Sequence, residues 1–400
     1  MRRIDLRKAQ AARSSTIRDI NRQIVLNYVR EREPISRAEI ARETALQRST
    51  VSTIVENLKS EGLIEEVGAG KSTGGRRPTM LRLRAAGAVA VGVDITPSCT
   101  TVVTSDLVGR VLERDEFENT ERPEEMLKRV TRRVKSFAAG AERGRVAGVG
   151  VSLPGLVDNV EGTAIYIPWF QWRDWRIAEE ISRATGLEVA VDNDANAAAM
   201  AELWFGRPEV SEARDFIQVL VNEGIGTGIV FDGQIYRGEG GAAGEFGHMI
   251  VGERGHVACS CGNFDCWESF SSERAAVAHY EKLSGAGGRG AKRRAEFPDI
   301  VERALAGEQA ARTVLAEMAH FLGVGISNLI VGLSPAAVVV SGRIARAWPL
   351  IGDALGEPVQ RSVRQGLPSA RIAPSTLGGQ PTLMGAISLV LARKFGLSKV

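Results

Sequence analysis

The sequence predicts an α/β protein: a small N-terminal unit of three helices and a two-stranded wing, then two mixed α/β lobes facing a cleft. Three observations lead there. Residues 18–83 carry three short, apolar-striped helical patterns followed by a strand, a basic loop and a strand. From Val89 the order strand, hairpin, helix, strand and helix is read once and then much the same again. The length of 400 residues also exceeds what one hydrophobic core usually organises. On these grounds the chain divides into residues 1–84, 85–205 and 206–400.

Composition narrows the classes. A hydrophobic share of 44% and a charged share of 25% are those of a folded globular chain rather than a disordered one. Met1 to Asp19 mixes Arg, Lys and Asp without an apolar stretch, so no secretory leader is read and a cytoplasmic location is expected. The uncharged run Met318 to Gly342 has the length of a membrane span. Asn328 and Ser334-Pro335 interrupt it, and Ala336 to Val340 reads as a strand, so no membrane partner is expected. Charge is uneven: residues 1–84 hold 18 Lys and Arg against 10 Asp and Glu, a balance of +8, while the remainder stands at −5. A polyanion would bind the N-terminal end.

The first helix is read over Arg18 to Arg30, where Ile20, Ile24 and Tyr28 recur at fours. The second starts at Ser36, an N-cap with Glu39 at the capping-box position, and runs to Thr44. The third spans Arg48 to Ser60, with Val51, Ile54, Val55 and Leu58 forming a buried stripe. That stripe leaves Arg48, Ser49, Thr50, Ser52 and Thr53 at the start or on the outer face, a hydroxyl-rich set suited to base edges and phosphates. Gly62 ends the helix, a strand runs to Val67, and the Gly/Lys/Arg loop 70–78, with Arg76 and Arg77, leads to Met80 to Leu83. This is a winged helix-turn-helix, whose loop can follow a phosphate backbone or enter a minor groove.

In the larger part the expected elements are Val89 to Ile95, Thr101 to Thr104, Val108 to Leu112, a helix over Pro123 to Ala139 and the strand Val146 to Ser152. A helix follows over Trp175 to Thr185, then a strand Val189 to Val191 that runs into Asp192-Asn193-Asp194. The second half begins at Phe216 to Val221 and continues through Ile229 to Phe231 and the turn Asp232-Gly233 to Ile235. Helices, the strand Ala336 to Val340 and a last helix from Pro381 complete it.

Six motifs stand in this order: Gly-Gly-Arg-Arg-Pro at 74–78, Leu-Pro-Gly at 153–155, Asn-Asp-Ala-Asn at 193–196, Gly-Ile-Gly-Thr-Gly at 224–228, Gly-Glu-Phe-Gly-His at 244–248, and a cysteine cluster ending Cys266-Trp267-Glu268. Singly most are weak. Together they resemble the ROK family of sugar kinases and repressors, over nearly the whole chain from Arg18 to about Phe395. The resemblance implies a hexokinase/actin-like fold for the two lobes.

Cys259, Cys261 and Cys266 fall within eight residues, and a histidine stands upstream at either 248 or 256. Three thiolates with one imidazole form a closed tetrahedral set, which favours structural zinc over a disulfide framework. Spacing leaves both histidines open; the resemblance selects His248. It also places Asn193, Asp194, Glu245, His248 and Glu268 at sugar-binding positions, and a mono- or disaccharide is the expected ligand. Asp194 matches the general base of the kinases; capping the following helix is its other role. Trp169, Phe170, Trp172 and Trp175 either stack on sugar or belong to the core.

Family kinases carry Asp-x-Gly-Gly-Thr after the first strand. Here the stretch reads Asp94-Ile95-Thr96-Pro97-Ser98-Cys99-Thr100: both glycines are gone, and Pro97 has no amide to offer a phosphate. The expectation is therefore a non-enzymatic, sugar-responsive repressor of carbohydrate uptake or catabolism genes, acting on double-stranded operator DNA as a homodimer or a dimer of dimers. An active sugar kinase with a fused DNA-binding domain is the alternative. Helix 308–330 is the candidate dimer face.

Overall fold

The structure is a computed structural model and describes residues 14–70, 77–140, 145–285, 295–362 and 370–395. The N-terminal unit contains α1 (Ser14–Arg32), β1 (Ile35–Ser36), α2 (Arg37–Thr44), α3 (Arg48–Ser60), β2 (Ile64–Ala69) and β3 (Thr79–Leu83). Ser36 caps α2 and Glu39 returns the bond to the Ser36 amide, so both donors at the helix start are satisfied. Ala45 adopts a left-handed φ of 56°, which makes the sharp turn between α2 and α3. Val51, Ile54, Val55 and Leu58 are buried against Val25, Leu26 and Ile40, as the stripe requires. The strands order β1-β3-β2, and the amide of Gly70 donates to Pro78 at 2.7 Å to close the base of the wing.

The first lobe carries β4 (Val89–Ile95), β5 (Cys99–Ser105), β6 (Val111–Glu118), α4 (Pro123–Gly140), β7 (Val146–Leu153), β8 (Leu156–Asp158), β9 (Thr163–Ile167), β10 (Trp172–Trp175), α5 (Ile177–Thr185), β11 (Val189–Asn193) and α6 (Asp194–Phe205). Its main sheet orders β11-β7-β4-β5-β6, with β4, β7 and β11 parallel. After α7 (Pro208–Ser211), the second lobe carries β12 (Phe216–Val221), β13 (Ile225–Phe231), β14 (Gln234–Ile235), α8 (Trp267–Ser271), α9 (Glu273–Ser284), α10 (Phe297–Leu305), α11 (Gln309–Leu333), β15 (Ala337–Gly342), α12 (Trp348–Ser362), β16 (Arg371–Pro374) and α13 (Pro381–Phe395). Its sheet orders β14-β13-β12-β15-β16, the same topology read from the opposite end: an antiparallel three-strand meander, then two further strands parallel to its first.

Three expectations are corrected. The third strand begins at Val111 rather than Val108, because the Asp106 carboxylate accepts from the amides of Val108 and Arg110 and spends those residues on a turn. Trp175 ends β10, and the following helix starts only at Ile177. Helix 308–330 turns its apolar side inward: Val314, Leu315, Met318, Leu322, Ile326 and Leu329 are buried in the second-lobe core, which leaves little of it as a dimer face. The same helix is long and apolar enough to cross a membrane by length and composition, and those residues fill the core instead.

The last helix binds the parts together. Although it follows β16 of the second lobe, α13 packs on β4 and β7 of the first and along α6. Close approach explains the small residues there. A Cβ on Gly385 would stand 2.3 Å from the carbonyl oxygen of Ala197, and one on Gly228 of β13 would stand 2.5 Å from that of Ala195. Helix α6, lined by Ala195, Ala197, Ala198, Ala199 and Ala201, thus lies between the two lobes without room for another methyl group.

Candidate functional site

The cleft between the lobes holds a cavity of about 380 Å³, and Asn193, Asp194, Glu245, His248 and Glu268 all line it. Each comes from a strand end or a turn. β11 runs parallel to β7 and delivers Asn193 and Asp194 at its C-terminal end, the edge where parallel sheets present ligand-binding residues. Asn193, not Asp194, is the helix cap. Its Oδ1 accepts from the amides of Ala195 and Asn196 at 2.9 and 3.2 Å, and its Nδ2 donates to the Gly155 carbonyl at 3.0 Å. One amide hydrogen of Asn193 therefore remains for a ligand.

Asp194 accepts only the amide of Ala195 among the described partners, at 2.8 Å, and faces the cavity. Burial lifts its carboxyl to about 7, with Asp94, Glu245 and Glu223 pushing the same way. Asp94, at the end of β4, is buried and raised to about 6. Its Oδ2 accepts from Thr382 Oγ1 at 2.7 Å, which ties the first residues of α13 to the cavity wall. Five acidic side chains, Asp94, Asp194, Glu223, Glu245 and Glu268, line the cavity, an arrangement of polar oxygens that matches a ligand rich in hydroxyl groups.

His248 lies in the short turn Glu245–His248 and presents its two ring edges differently. Nδ1 is 3.1 Å from Cys259 Sγ, whereas Nε2 is 3.5 Å from Glu245 Oε2 on the cavity side. Cys261 and Cys266 stand 3.5 Å apart, and the four donor atoms of His248, Cys259, Cys261 and Cys266 all lie within 4.8 Å of one another. This cluster has the donors and the closeness of a tetrahedral metal centre. Burial raises the thiols of Cys259 and Cys266, the latter to about 11, the penalty that a bound cation would offset. His256 is elsewhere: it lies beside His279 and Glu317.

The aromatic quartet divides. Trp172 and Trp175 are buried in the first-lobe core with Phe170 packed beside them, whereas Trp169 lines the cavity with Arg274 4.9 Å from its ring. Tyr166, Glu223 and Thr382 also line it and were not foreseen, since no local pattern marks them. Glycines 226 and 228 lie within β13 rather than in a loop, where they admit Ala195 and Ala199 of α6. At the β4–β5 turn the Thr96 amide donates to Cys99 O, and the Cys99 amide donates to Thr96 Oγ1. With Pro97 between them, three of the four turn residues have no spare amide.

On the N-terminal unit, Arg48, Ser49 and Thr53 are exposed, and Thr50 and Ser52 half-buried. Ser52 and Thr53 donate back to the carbonyls of Arg48 and Ser49, at 2.9 and 3.1 Å, which orients their oxygens along the helix flank. Arg37 bridges Glu56 and Glu66 at 2.6 and 2.9 Å and fixes α3 against the wing strand. Arg77 is exposed; Arg76 lies outside the described residues.

The two sites are joined. Phe395 at the end of α13 and Trp204 near the end of α6 meet at 5.5 Å between ring centroids, and the Arg30 guanidinium of α1 lies 3.9 Å over Trp204. Asn27 donates to the Phe395 carbonyl at 2.6 Å. One continuous core runs from Val25 and Val55 through Ala90 and Val103 to Leu383, Ile387 and Phe395.

Comparison with known proteins agrees with both parts. A MarR family helix-turn-helix profile matches residues 24–74. The chain is 31% identical to the xylose repressor of Caldicellulosiruptor bescii over 388 residues, covering 94% of this chain and 96% of that one. A ROK family transcriptional regulator, a homologue of the Escherichia coli MLC protein, superposes with a TM-score of 0.81 at 26% identity, over 96% of this chain and 98% of that one. A ROK family glucokinase from Streptomyces griseus, in complex with glucose and AMPPNP, superposes with a TM-score of 0.67 at 30% identity, over 76% and 99%. The ROK family profile itself matches residues 90–393, three quarters of the chain, and the protein belongs to the ROK family.

Proposed function

We propose that this protein is a sugar-responsive, DNA-binding transcriptional repressor of carbohydrate uptake or catabolism genes. One observation carries the reading: α6 and α13 both begin at the sugar-sized cavity, at Asp194 and Thr382, and both end against helix α1 of the winged unit. A mono- or disaccharide bound among Asn193, Asp194, Glu245, His248 and Glu268 would draw the lobes together. Since α6 has no slack between Gly228 and Gly385, lobe closure moves it as a rod and shifts the Trp204–Phe395 platform under Arg30. The recognition helix, with Arg48, Ser49, Thr50, Ser52 and Thr53, and the wing, with Arg76 and Arg77, would take up operator DNA in one lobe arrangement and release it in the other.

In this reading zinc is held by His248, Cys259, Cys261 and Cys266 and supplies structure rather than chemistry. Cys261 and His248 line the cavity and Glu268 follows Cys266 by two residues, so the cluster fixes three parts of the sugar wall. A homodimer on a two-fold operator, or a dimer of dimers, in the cytoplasm completes the reading.

A kinase reading is favoured by Asp194, whose carboxyl stands at about 7, where a general base works best. Against it stands the β4–β5 turn, where the amides of Thr96 and Cys99 are spent within the turn and Pro97 has none. ADP formation dependent on sugar and abolished by Asp194→Asn would establish the kinase; turnover at the blank level leaves recognition without transfer. The repressor reading is tested by fluorescence anisotropy with DNA fragments that the protein selects, titrated against xylose, glucose, N-acetylglucosamine, cellobiose and xylobiose. One sugar is expected to weaken binding at least tenfold; indifference to every sugar contradicts it.

A further inference from the structure

His256 is left over from the cysteine cluster, and the fold gives it other company. It stands in the loop before Cys259, His279 lies on α9 and Glu317 on α11, three separate elements. His256 Nε2 is 3.1 Å from Glu317 Oε1, and His279 Nδ1 is 3.4 Å from Glu317 Oε2. One nitrogen from each ring and one carboxylate oxygen all lie within 4.8 Å of one another. The loop is held in place for this: the His256 amide donates to Ser269 O at 2.8 Å, and Gly255 sits so close that a Cβ there would be 2.6 Å from Ser269. Side-chain exposures of 20% for His256, 11% for His279 and 39% for Glu317 describe a pocket walled by protein and open on the carboxylate side.

We propose that His256, His279 and Glu317 form a second divalent-metal site of the zinc class, separate from the cysteine cluster. Two imidazoles and a carboxylate are the donors zinc, cobalt and nickel share. Zinc–nitrogen and zinc–oxygen bonds of about 2.0–2.1 Å place tetrahedral donors about 3.4 Å apart, close to the 3.1 Å from His256 to Glu317 Oε1 and the 3.4 Å from His279 to Glu317 Oε2, and a small shift brings one oxygen to both rings. The rings now stack, centroids 4.1 Å apart and planes 10° apart, so their lone pairs lie in nearly parallel planes that do not meet at one ion. Capture of a cation turns one imidazole out of the stack. His256, on a loop and the more exposed of the pair, is the one that turns. Water fills the open side. Occupancy ties the loop that carries Cys259 and Cys261 to α9 and α11, and so stiffens one wall of the sugar cavity from behind.

Cobalt(II) titration of the chelator-treated full chain tests this, because thiolate ligation gives an intense charge-transfer band and imidazole–carboxylate ligation does not. The wild type is expected to bind two equivalents, one with the thiolate band and one without. His279→Gln and Glu317→Gln are each expected to lose the second equivalent and keep the band of the first, whose persistence reports that the variant is folded. A single equivalent in the wild type, or two equivalents in both variants, overturns the proposal. Should either variant fail to fold, the wild-type stoichiometry and band count decide alone.

Discussion

At the scale of single residues, the cavity acids carry a consequence for stability. Asp194 is lifted from 3.8 to about 7, chiefly by burial and then by Asp94, Glu245 and Glu223. A carboxyl raised in the folded state keeps its proton after the unfolded chain has lost it, so its stabilising contribution is complete below about pH 4 and is lost as pH rises through about 7. Asp194→Asn removes that loss. Its Tm is expected to exceed the wild-type value by a margin that widens from about pH 4 to about pH 8, equivalent to a few kcal/mol. Thermal unfolding at both pH values checks this, and a margin independent of pH contradicts it. A thiolate ligand gives a second residue-scale outcome: Cys266→Ser is expected to halve or abolish zinc content by elemental analysis and to weaken sugar binding at least tenfold, since Glu268 stands two residues after that ligand. Unchanged affinity in a zinc-depleted variant would separate metal from sugar.

The five candidate sugar residues came from the family resemblance and the thiols from a Cys-x-Cys beside a glycine turn; the fold gathers the first set around one cavity and the thiols with His248 into one cluster. The choice of His248 over His256 was not legible from spacing, because both lie upstream at reachable distances; the resemblance selected His248, and the fold sends it to the thiols and His256 to α11. Trp169 was likewise inseparable from Trp172 and Trp175 in sequence. The turn after β9 divides them: Trp169 falls within it, while β10 places Trp172 and Trp175 in the core.

At the scale of elements, α3 runs from Arg48 to Ser60 and β4 from Val89 to Ile95, the limits that apolar periodicity assigns them. Strand β6 was expected over Val108 to Leu112 and not followed to Glu118, because it lies at the sheet edge with Glu113 to Glu118 largely exposed, so neither alternation nor apolar content marks its second part. Gly226 and Gly228 of the Gly-Ile-Gly-Thr-Gly motif are where β13 meets α6, with Ala195 and Ala199 against them. Their role leads to an expectation for α6. Gly385→Ala places a methyl against the Ala197 carbonyl and is expected to cost about 1–3 kcal/mol in chemical denaturation while shifting the lobe arrangement. A neutral outcome would mean that α6 and α13 separate more easily than their contact implies.

At the scale of the whole molecule, the feature least accessible to sequence is the return of α13 across the lobes to the winged unit, a contact between residues 27 and 395 that no local pattern encodes. In the proposed switch, the path from cavity to recognition helix runs through it. Arg30→Ala or Trp204→Ala breaks that path far from both ligands, so each variant is expected to retain DNA and sugar binding separately while losing most of the effect of one on the other. Loss of DNA binding itself would instead assign Arg30 to folding of the winged unit. The most direct measurement is reciprocal: calorimetry of the effective sugar against the free protein and against the protein saturated with its operator. Sugar affinity is expected to fall on DNA by the same factor by which sugar weakens DNA binding. Equal sugar affinities with and without operator would contradict a repressor whose two sites are joined through α6 and α13.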